Sequence, residues 1–304
     1  MKKVFLLLKS MHQIEGKPGK VMTAVAGKHG LELVPVEAKD IRVTFSMEGE
    51  DAIYVKGQKT EVPEAAFVYS NLTDYKTLRV LTMLESMGVR ICNTADTIEK
   101  CADKLLAMQL IKKAGLSEEY GIRLPKTVLI DKTTTAEELQ EALGLPMVIK
   151  VLDGYGGNGV TLHNDIESVK NTLSIIQAGE LSCQVIAQEA ILTSRGRDLR
   201  TQIINGKVVT CFERISDDGF RSNVHQGGRW IFLDAPEAVK AGALKIAEIL
   251  GMQFGSVDFL YGAKEGEYYF CEANSMSGLD YVEDDEAIAG TITNEIIKAL
   301  KGIR

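Results

Sequence analysis

Apolar and polar positions over residues 1–92 alternate between short apolar runs and helical periodicity, the pattern of parallel α/β units. The runs Val4–Leu8, Leu31–Val36, Ala66–Tyr69 and Val89–Cys92 predict strands. Between them, periodic stretches at Lys20–His29 and Thr77–Met87 predict helices that stop at Gly30 and Gly88. Arg42–Phe45 and Ala52–Val55, followed by Lys56-Gly57-Gln58, predict a small added hairpin.

Further on, the spacing predicts one helix over Thr97–Ala114, capped by Asp96 with Glu99 three residues later and stopped by Gly115. Thr127–Ile130 reads as a strand, and Thr135 caps a helix to Leu143 with Glu138 at its third position. From Met147 to His163 the pattern is strand, glycine loop, strand. Strands dominate the last third, at Val185–Glu189, Leu199–Ile204, Val208–Arg214, Ser256–Tyr261 and Tyr268–Ala273, with helices at Pro236–Leu250 and Glu286–Leu300. No repeat, low-complexity segment or flexible linker interrupts the chain, so its lobes are expected to pack as one body.

Composition narrows this picture. With 304 residues, 45% hydrophobic and 25% charged, a substantial core is available for two domains or three small ones. A formal net charge of -7 and the lack of a long Lys/Arg run argue against a nucleic-acid binder. Cys92, Cys101, Cys183, Cys211 and Cys271 are scattered without a CxxC pair, which points to free thiols in a reducing compartment. The apolar run after Lys2-Lys3 ends at Lys9, too short for a signal peptide, and no stretch approaches a membrane span. A soluble, cytoplasmic protein is expected.

Candidate chemistry begins at Gly154-Tyr155-Gly156-Gly157-Asn158-Gly159, which matches GxGxxG. A dinucleotide fold needs a helix after such glycines, whereas here they lead into the strand Val160–His163. The context is a hairpin whose tip can offer backbone N–H groups to phosphates, or simply a flexible turn. A protein kinase also covers ATP with a hairpin, but its lysine comes later; here Lys150 precedes the glycines. A P-loop is absent, because Gly19-Lys20 is followed by Val21. Lys150 lies amid Val148, Ile149 and Val151, where an unpaired charge is expensive, and nucleotide phosphates would supply its partner.

Asp258, Glu272 and Asn274 form the second candidate. Glu272 and Asn274 are two apart on one strand and share a face, and a turn at Gly262–Gly266 would pair that strand with the one carrying Asp258. Carboxylates among Phe259, Leu260, Phe270 and Cys271 call for a cation, and hard oxygen ligands favour Mg²⁺ or Mn²⁺; outward acidic residues on a solvated hairpin are the plainer alternative. Asp198 and Arg200 share a strand face, and Arg214 and Arg221-Ser222-Asn223-Val224-His225 follow. So many donors in an acidic protein suggest a clamp on phosphate or carboxylate. His225 alone reads as a surface or satisfied histidine, and no Ser–His–Asp or Cys–His arrangement is defensible from spacing.

In this order the pieces resemble the ATP-grasp superfamily, specifically its RimK-type ligases, over roughly Asn93 to Leu300. Gly196-Arg197-Asp198-Leu199-Arg200, Arg221 to Gly228 and Glu272-Ala273-Asn274-Ser275 carry the resemblance. It implies an ATP-grasp fold, α/β with α+β character in the ATP-binding part. The implied units are a Rossmann-like pre-ATP-grasp domain at 1–92, a central lobe at 93–182 and a C-terminal lobe at 183–304. It further implies that Lys104, Lys150, Gly154, Gly156, Gly157, Gly159, Gln188, Glu189, Ala190, Ile191 and Asp198 bind nucleotide, Gln188 to Ile191 as the adenine hinge. Arg221, Ser222 and Asn223 would meet phosphates and the activated carboxylate, with Arg214, Arg221 and Asn223 catalytic. Asp258, Glu272 and Asn274 would hold Mg²⁺ or Mn²⁺, as two ions.

The activity so implied is ATP-dependent joining of a carboxylate to an amine or amino acid through an acyl-phosphate, without nucleic acid or membrane, in a homodimer or homotetramer. A small-molecule kinase and a non-catalytic ATP-binding regulator are the alternatives. After Asn274 the relatives' Ser-Ser-Pro-Gly-Leu-Glu-Gly is replaced by Ser275-Met276-Ser277-Gly278-Leu279-Asp280-Tyr281, and acids at Glu283 to Glu286 follow. Those acids either border the acceptor site or begin a solvated helix. The departure leaves the added amino acid open.

Overall fold

The computed structural model describes residues 1–47, 49–116, 120–152, 154, 158–179, 184–216, 229–277 and 286–301. The first sheet follows the predicted α/β pattern. Strands β1 (Lys2–Leu8) and β2 (Leu31–Glu37) flank helix α1 (Lys17–Lys28) in sequence. A three-stranded antiparallel sheet of β3 (Ile41–Thr44), β4 (Ala52–Val55) and β5 (Gln58–Thr60) is inserted next. Its β4–β5 turn places Lys56 and Gly57 at φ of 50° and 80°, the left-handed pair that a tight hairpin requires. Strand β6 (Ala65–Val68), helix α2 (Tyr75–Ser86) and strand β7 (Arg90–Cys92) complete the parallel order β2-β1-β6-β7. Its strands are buried on both faces, as covered parallel sheets are.

The helix predicted over Thr97–Ala114 is two helices, α3 (Ala95–Ala102) and α4 (Lys104–Lys113). Asp103 adopts an extended conformation between them, and its carboxylate accepts from the N–H groups of Leu105 and Leu106. An aspartate that caps so well favours a restart over a continuous helix. The first helix is capped by Thr94 rather than Asp96.

Strands β8 (Ile122–Arg123) and β9 (Thr127–Ile130), helix α5 (Ala136–Leu143), strands β10 (Met147–Val151) and β11 (Val160–His163), helix α6 (Ile166–Ala178) and strand β12 (Val185–Glu189) follow. A four-stranded sheet takes the order β11-β10-β12-β9, backed by α5 and α6. Periodicity missed α6 and β8. Strand β12, expected in the third unit, completes this second sheet, because it pairs with both β9 and β10.

The largest sheet has the order β15-β14-β13-β16-β17-β8, from β13 (Arg197–Ile204), β14 (Lys207–Ile215), β15 (Arg229–Phe232), β16 (Phe254–Tyr261) and β17 (Tyr268–Asn274). One face, with Leu199, Ile203 and Val257, packs on α4 and on α7 (Glu237–Leu250). Alternation sends Asp198, Arg200, Asp258, Glu272 and Asn274 to the other face. The far end of that face carries Ile204, Phe212 and Phe254, covered by Ile292, Ile296 and Ile297 of α8 (Glu286–Lys301) and by the first sheet. Thus α3 and α4, expected in the central lobe, pack instead against this sheet. Among the described residues no helix is long and apolar enough to cross a membrane.

Candidate active site

A recess lies between the second and third sheets, with a volume of about 140 Å³. Val148, Val160, Ile191, Leu260 and Phe270 give it apolar walls, and Lys104, Lys150, Asp198, Arg214 and Glu272 reach its polar end. Lys150 arrives there because it alternates with Ile149, whose side chain packs into the core behind β10. It is only 8% exposed, and among the described residues its ammonium has no hydrogen-bond or ion-pair partner. Burial lowers its pKa from the ordinary lysine value, a pull that neighbouring Lys104 reinforces and Glu272 opposes.

Lys104 reaches the same end from the first turn of α4, which the restart at Asp103 positions. Its ammonium donates to the carbonyls of Leu152 and Gly154, each at 3.0 Å, and lies 3.7 Å from Glu272 Oε2. Gly154 and Gly159 bracket the turn. A Cβ on Gly154 would come within 2.7 Å of the Asn158 carbonyl oxygen. At Gly159, φ is +71° and a Cβ would meet the Val151 side chain at 2.6 Å. Bare backbone is therefore obligatory at both positions. Gly156 and Gly157 lie outside the described residues, as do Arg221, Ser222, Asn223 and His225.

The expected adenine hinge lines the recess through Gln188, Glu189 and Ile191. Several of its polar groups are already engaged, Glu189 with both the N–H and the carbonyl of Lys126. Gln188 Nε2 donates to Thr127 Oγ1 at 2.8 Å, and the Ala190 N–H donates to the Pro146 carbonyl at 3.3 Å. Gln188 therefore fixes β12 against β9 through its Nε2.

Asp198, Arg200, Arg214, Asp258 and Glu272 form a chain of charges across β14, β13, β16 and β17. The register places Asp198 opposite Arg214, Arg200 opposite Asp258 and Asp258 opposite Glu272. Arg200 grips Asp258 with Nε at 2.7 Å from Oδ1 and Nη2 at 2.6 Å from Oδ2. Arg214 donates to both oxygens of Asp198 and, at 2.8 Å, to Asp258 Oδ2. Burial raises the pKa of Asp198 despite the arginine beside it. Burial acts likewise on fully buried Asp258, but the two arginines outweigh it and hold its carboxyl below the ordinary aspartate value.

The expected oxygen triad shares this face, but its members are not equivalent. Asp258 is committed to two guanidinium groups, whereas Glu272 makes looser contacts, 3.3 Å from Asn274 Nδ2, 3.7 Å from Lys104 Nζ and 4.0 Å from Arg200 Nη2. A register shift beyond Asp258 marks a bulge in β17, and Cys271 and Glu272 both line the recess beside it. Among the described residues no three His, Cys, Asp or Glu side chains gather as a metal cluster. The donor set therefore fits a cation that takes Glu272, the Asn274 carbonyl oxygen and phosphate oxygens, with Asp258 behind them. Cys271 stays a neutral thiol, its pKa pushed by burial up to about 12.

Sequence reasoning left Arg197 and Asn93 without roles. Arg197 lines the recess and stacks over Tyr261, 4.4 Å from the ring centre. The Asn93 amide donates to the Phe254 and Ser275 carbonyls and accepts from the N–H groups of Gln253 and Phe254. Only the strand pairing could have revealed either.

A buried lysine without a partner among the described residues, sharing one recess with Arg214 and Glu272, meets an independent finding from sequence comparison. The profile of the RimK-like ATP-grasp domain matches residues 101–300. The chain belongs to this family. A protein of Desulfotalea psychrophila named probable alpha-L-glutamate ligase is 33% identical over 261 residues, 83% of this chain and 53% of that protein. Another of that name from Maridesulfovibrio salexigens is 33% identical over 254 residues, 81% of this chain and 80% of the other. The chain thus spans about half the length of the first of these relatives. The ATP-grasp ligase PsnB, solved with a minimal precursor, Mg and ADP, superposes with a TM-score of 0.69 at 17% identity, covering 98% of each chain. That likeness establishes an ATP-grasp fold, as expected from the sequence.

Proposed function

We propose that this RimK-like protein is an ATP-dependent ligase that joins a carboxylate to an amine. The buried Lys150 ammonium, without a partner among the described residues, carries the proposal, since phosphate oxygens would supply that partner. In this reading the apolar walls receive the adenine ring, Lys150 and Lys104 hold phosphates, and the turn from Gly154 to Gly159 covers them. Glu272 and Asn274, with Asp258, would hold Mg²⁺ or Mn²⁺, which supplies charge neutralisation at the transferring phosphoryl group. Arg214 and Arg200, fixed by Asp198 and Asp258, are held in place as preoriented guanidinium groups, so little reorganisation is needed when charge moves. Arg221, Ser222 and Asn223 belong to the same proposal through their match to the family's motif.

The substrate carboxylate oxygen attacks the γ-phosphorus and the bond to the β-phosphate oxygen breaks, leaving an acyl-phosphate and ADP. The neutral amine nitrogen then bonds to the acyl carbon, the carbon–oxygen bond to phosphate breaks, and one amine proton leaves with the phosphate as hydrogen phosphate. No enzyme nucleophile is required. The relatives' names support an amino acid as one partner, and the precursor bound to PsnB supports a peptide as the other. Cys92, Cys101, Cys211 and Cys271 are all free thiols, which supports a reducing, cytoplasmic setting.

The test is release of ADP and phosphate with carboxylates and a pool of amines, with products read by mass spectrometry. ADP and phosphate that depend on the amine support the ligase, whereas a stable phosphorylated product would make it a kinase. Glu272→Gln is expected to abolish turnover with the fold retained by circular dichroism; near-normal magnesium-dependent activity would remove the metal assignment.

A further inference from the structure

Beside the nucleotide recess lies a second cavity, of about 460 Å³. The two share Lys104, Gly154 and Glu272, so a molecule in the second meets the phosphate end of the first. One wall holds Asn71 and Thr73, on the loop after β6. In the sheet order β2-β1-β6-β7 the winding reverses between β1 and β6. Outside the carboxyl ends of strands at such a reversal is where open parallel sheets take ligands. The other walls come from Glu99 of α3, Asp103, and Asn274, Ser275 and Met276 at the end of β17. The departure from the relatives' pattern thus begins inside this cavity.

Charge is sorted across the joined cavities. The recess alone holds Lys150, Arg197 and Arg214 against Glu189 and Asp198, the second cavity alone holds Glu99 and Asp103, and Lys104 and Glu272 line both. Its one cation among the described lining residues, Lys104, is held by the Leu152 and Gly154 carbonyls. Arg79 engages Oε1 of Glu99, and Asp103 uses Oδ1 as a helix cap, so each presents a second oxygen. Ser275 is 9% exposed and lines the cavity, yet among the described residues its hydroxyl has no partner. Unlike the sealed hydroxyls of Ser256 and Ser277, that of Ser275 opens into the cavity, as a donor and acceptor for a polar ligand atom.

We propose that this cavity holds the amine co-substrate, and that its carboxylate lining selects an amine carrying net positive charge over an acidic amino acid. This inference rests on the ligase reading. Carboxylates favour the ammonium form in which an amine arrives and repel an additional carboxylate, while Ser275 hydrogen-bonds the bound molecule. Glu99 acts as a specificity-determining residue rather than a catalytic one.

The experiment is titration calorimetry on the full-length protein loaded with Mg²⁺ and the non-hydrolysable ATP analogue AMPPNP, using L-lysine, putrescine and L-glutamate as probes. L-Lysine and putrescine are expected to bind about tenfold or more tighter than L-glutamate. Glu99→Gln retains an acceptor for Arg79, and should weaken L-lysine by about tenfold while AMPPNP affinity stays unchanged. L-Glutamate binding as tightly as L-lysine, or an unchanged L-lysine affinity in Glu99→Gln, overturns the inference and leaves the ligase reading standing. Failure of AMPPNP itself to bind would instead overturn the ligase reading, and the inference with it.

Discussion

Lys150 and Asp258 show how differently one protein treats two buried charges. Asp258 is neutralised internally, by guanidinium groups from the strand beside it and the strand beyond. Lys150 has no partner among the described residues, a costly arrangement for a buried charge that a bound anion relieves. Lys150→Met should therefore raise the melting temperature of the nucleotide-free protein while weakening ATP about 10- to 150-fold, the worth of a charged hydrogen bond. Thermal melts and calorimetric titration together check this; unchanged ATP affinity would remove Lys150 from the site. The need for a partner could be read from Lys150 and its apolar neighbours, but the internal pairing of Asp258 could not. Arg200 is 58 residues away in sequence, and only strand register brings it opposite.

Elements were legible where one periodicity ran uninterrupted and lost where a side chain redirected the backbone. Asp103 divides a continuous helical pattern because its carboxylate satisfies two N–H groups of the next helix, and that restart aims Lys104 at the glycine turn. The β11–α6 junction shows a similar local device. His163 is buried, with Nε2 2.8 Å from Thr161 Oγ1 and Nδ1 3.2 Å from Ser168 Oγ in the first turn of α6. Burial lowers its pKa from the ordinary 6.5. The unfolded chain then binds more protons between the lowered value and 6.5, so stability rises with pH through that window. Its contribution is complete above the ordinary histidine pKa and is lost as pH falls below it. Urea midpoints of His163→Gln should be flatter than those of the parent between pH values just below and well below 6.5. A parallel slope in both proteins would exclude His163 as the cause.

At the scale of the molecule, the site exists because three sheets meet, and Asn93 is one of the ties between them. Placed just after β7, its amide closes hydrogen bonds to Gln253, Phe254 and Ser275 of the third sheet and its margin. Asn93→Ala should cost about 3 kcal/mol by leaving buried backbone groups unpaired. It should also raise hydrogen exchange in residues 1–92 before the rest; uniform exchange across the chain would show that Asn93 is not a tie. The strand that ends at Cys92 was visible beforehand, since alternating strand and helix patterns are local. So were the glycine hairpin, the paired faces of Asp198 with Arg200 and of Glu272 with Asn274, and the resemblance those residues carry. Local periodicity determines which side chains share a face, because it follows from the geometry of a single strand or helix. Tertiary structure alone decided which faces meet: that β12 joins the second sheet, that Asp258 is clasped by arginines while Glu272 stays available, and that Ser275 opens into a cavity bordered by the first sheet. Those outcomes depend on pairing between strands far apart in sequence, and no local pattern encodes that register.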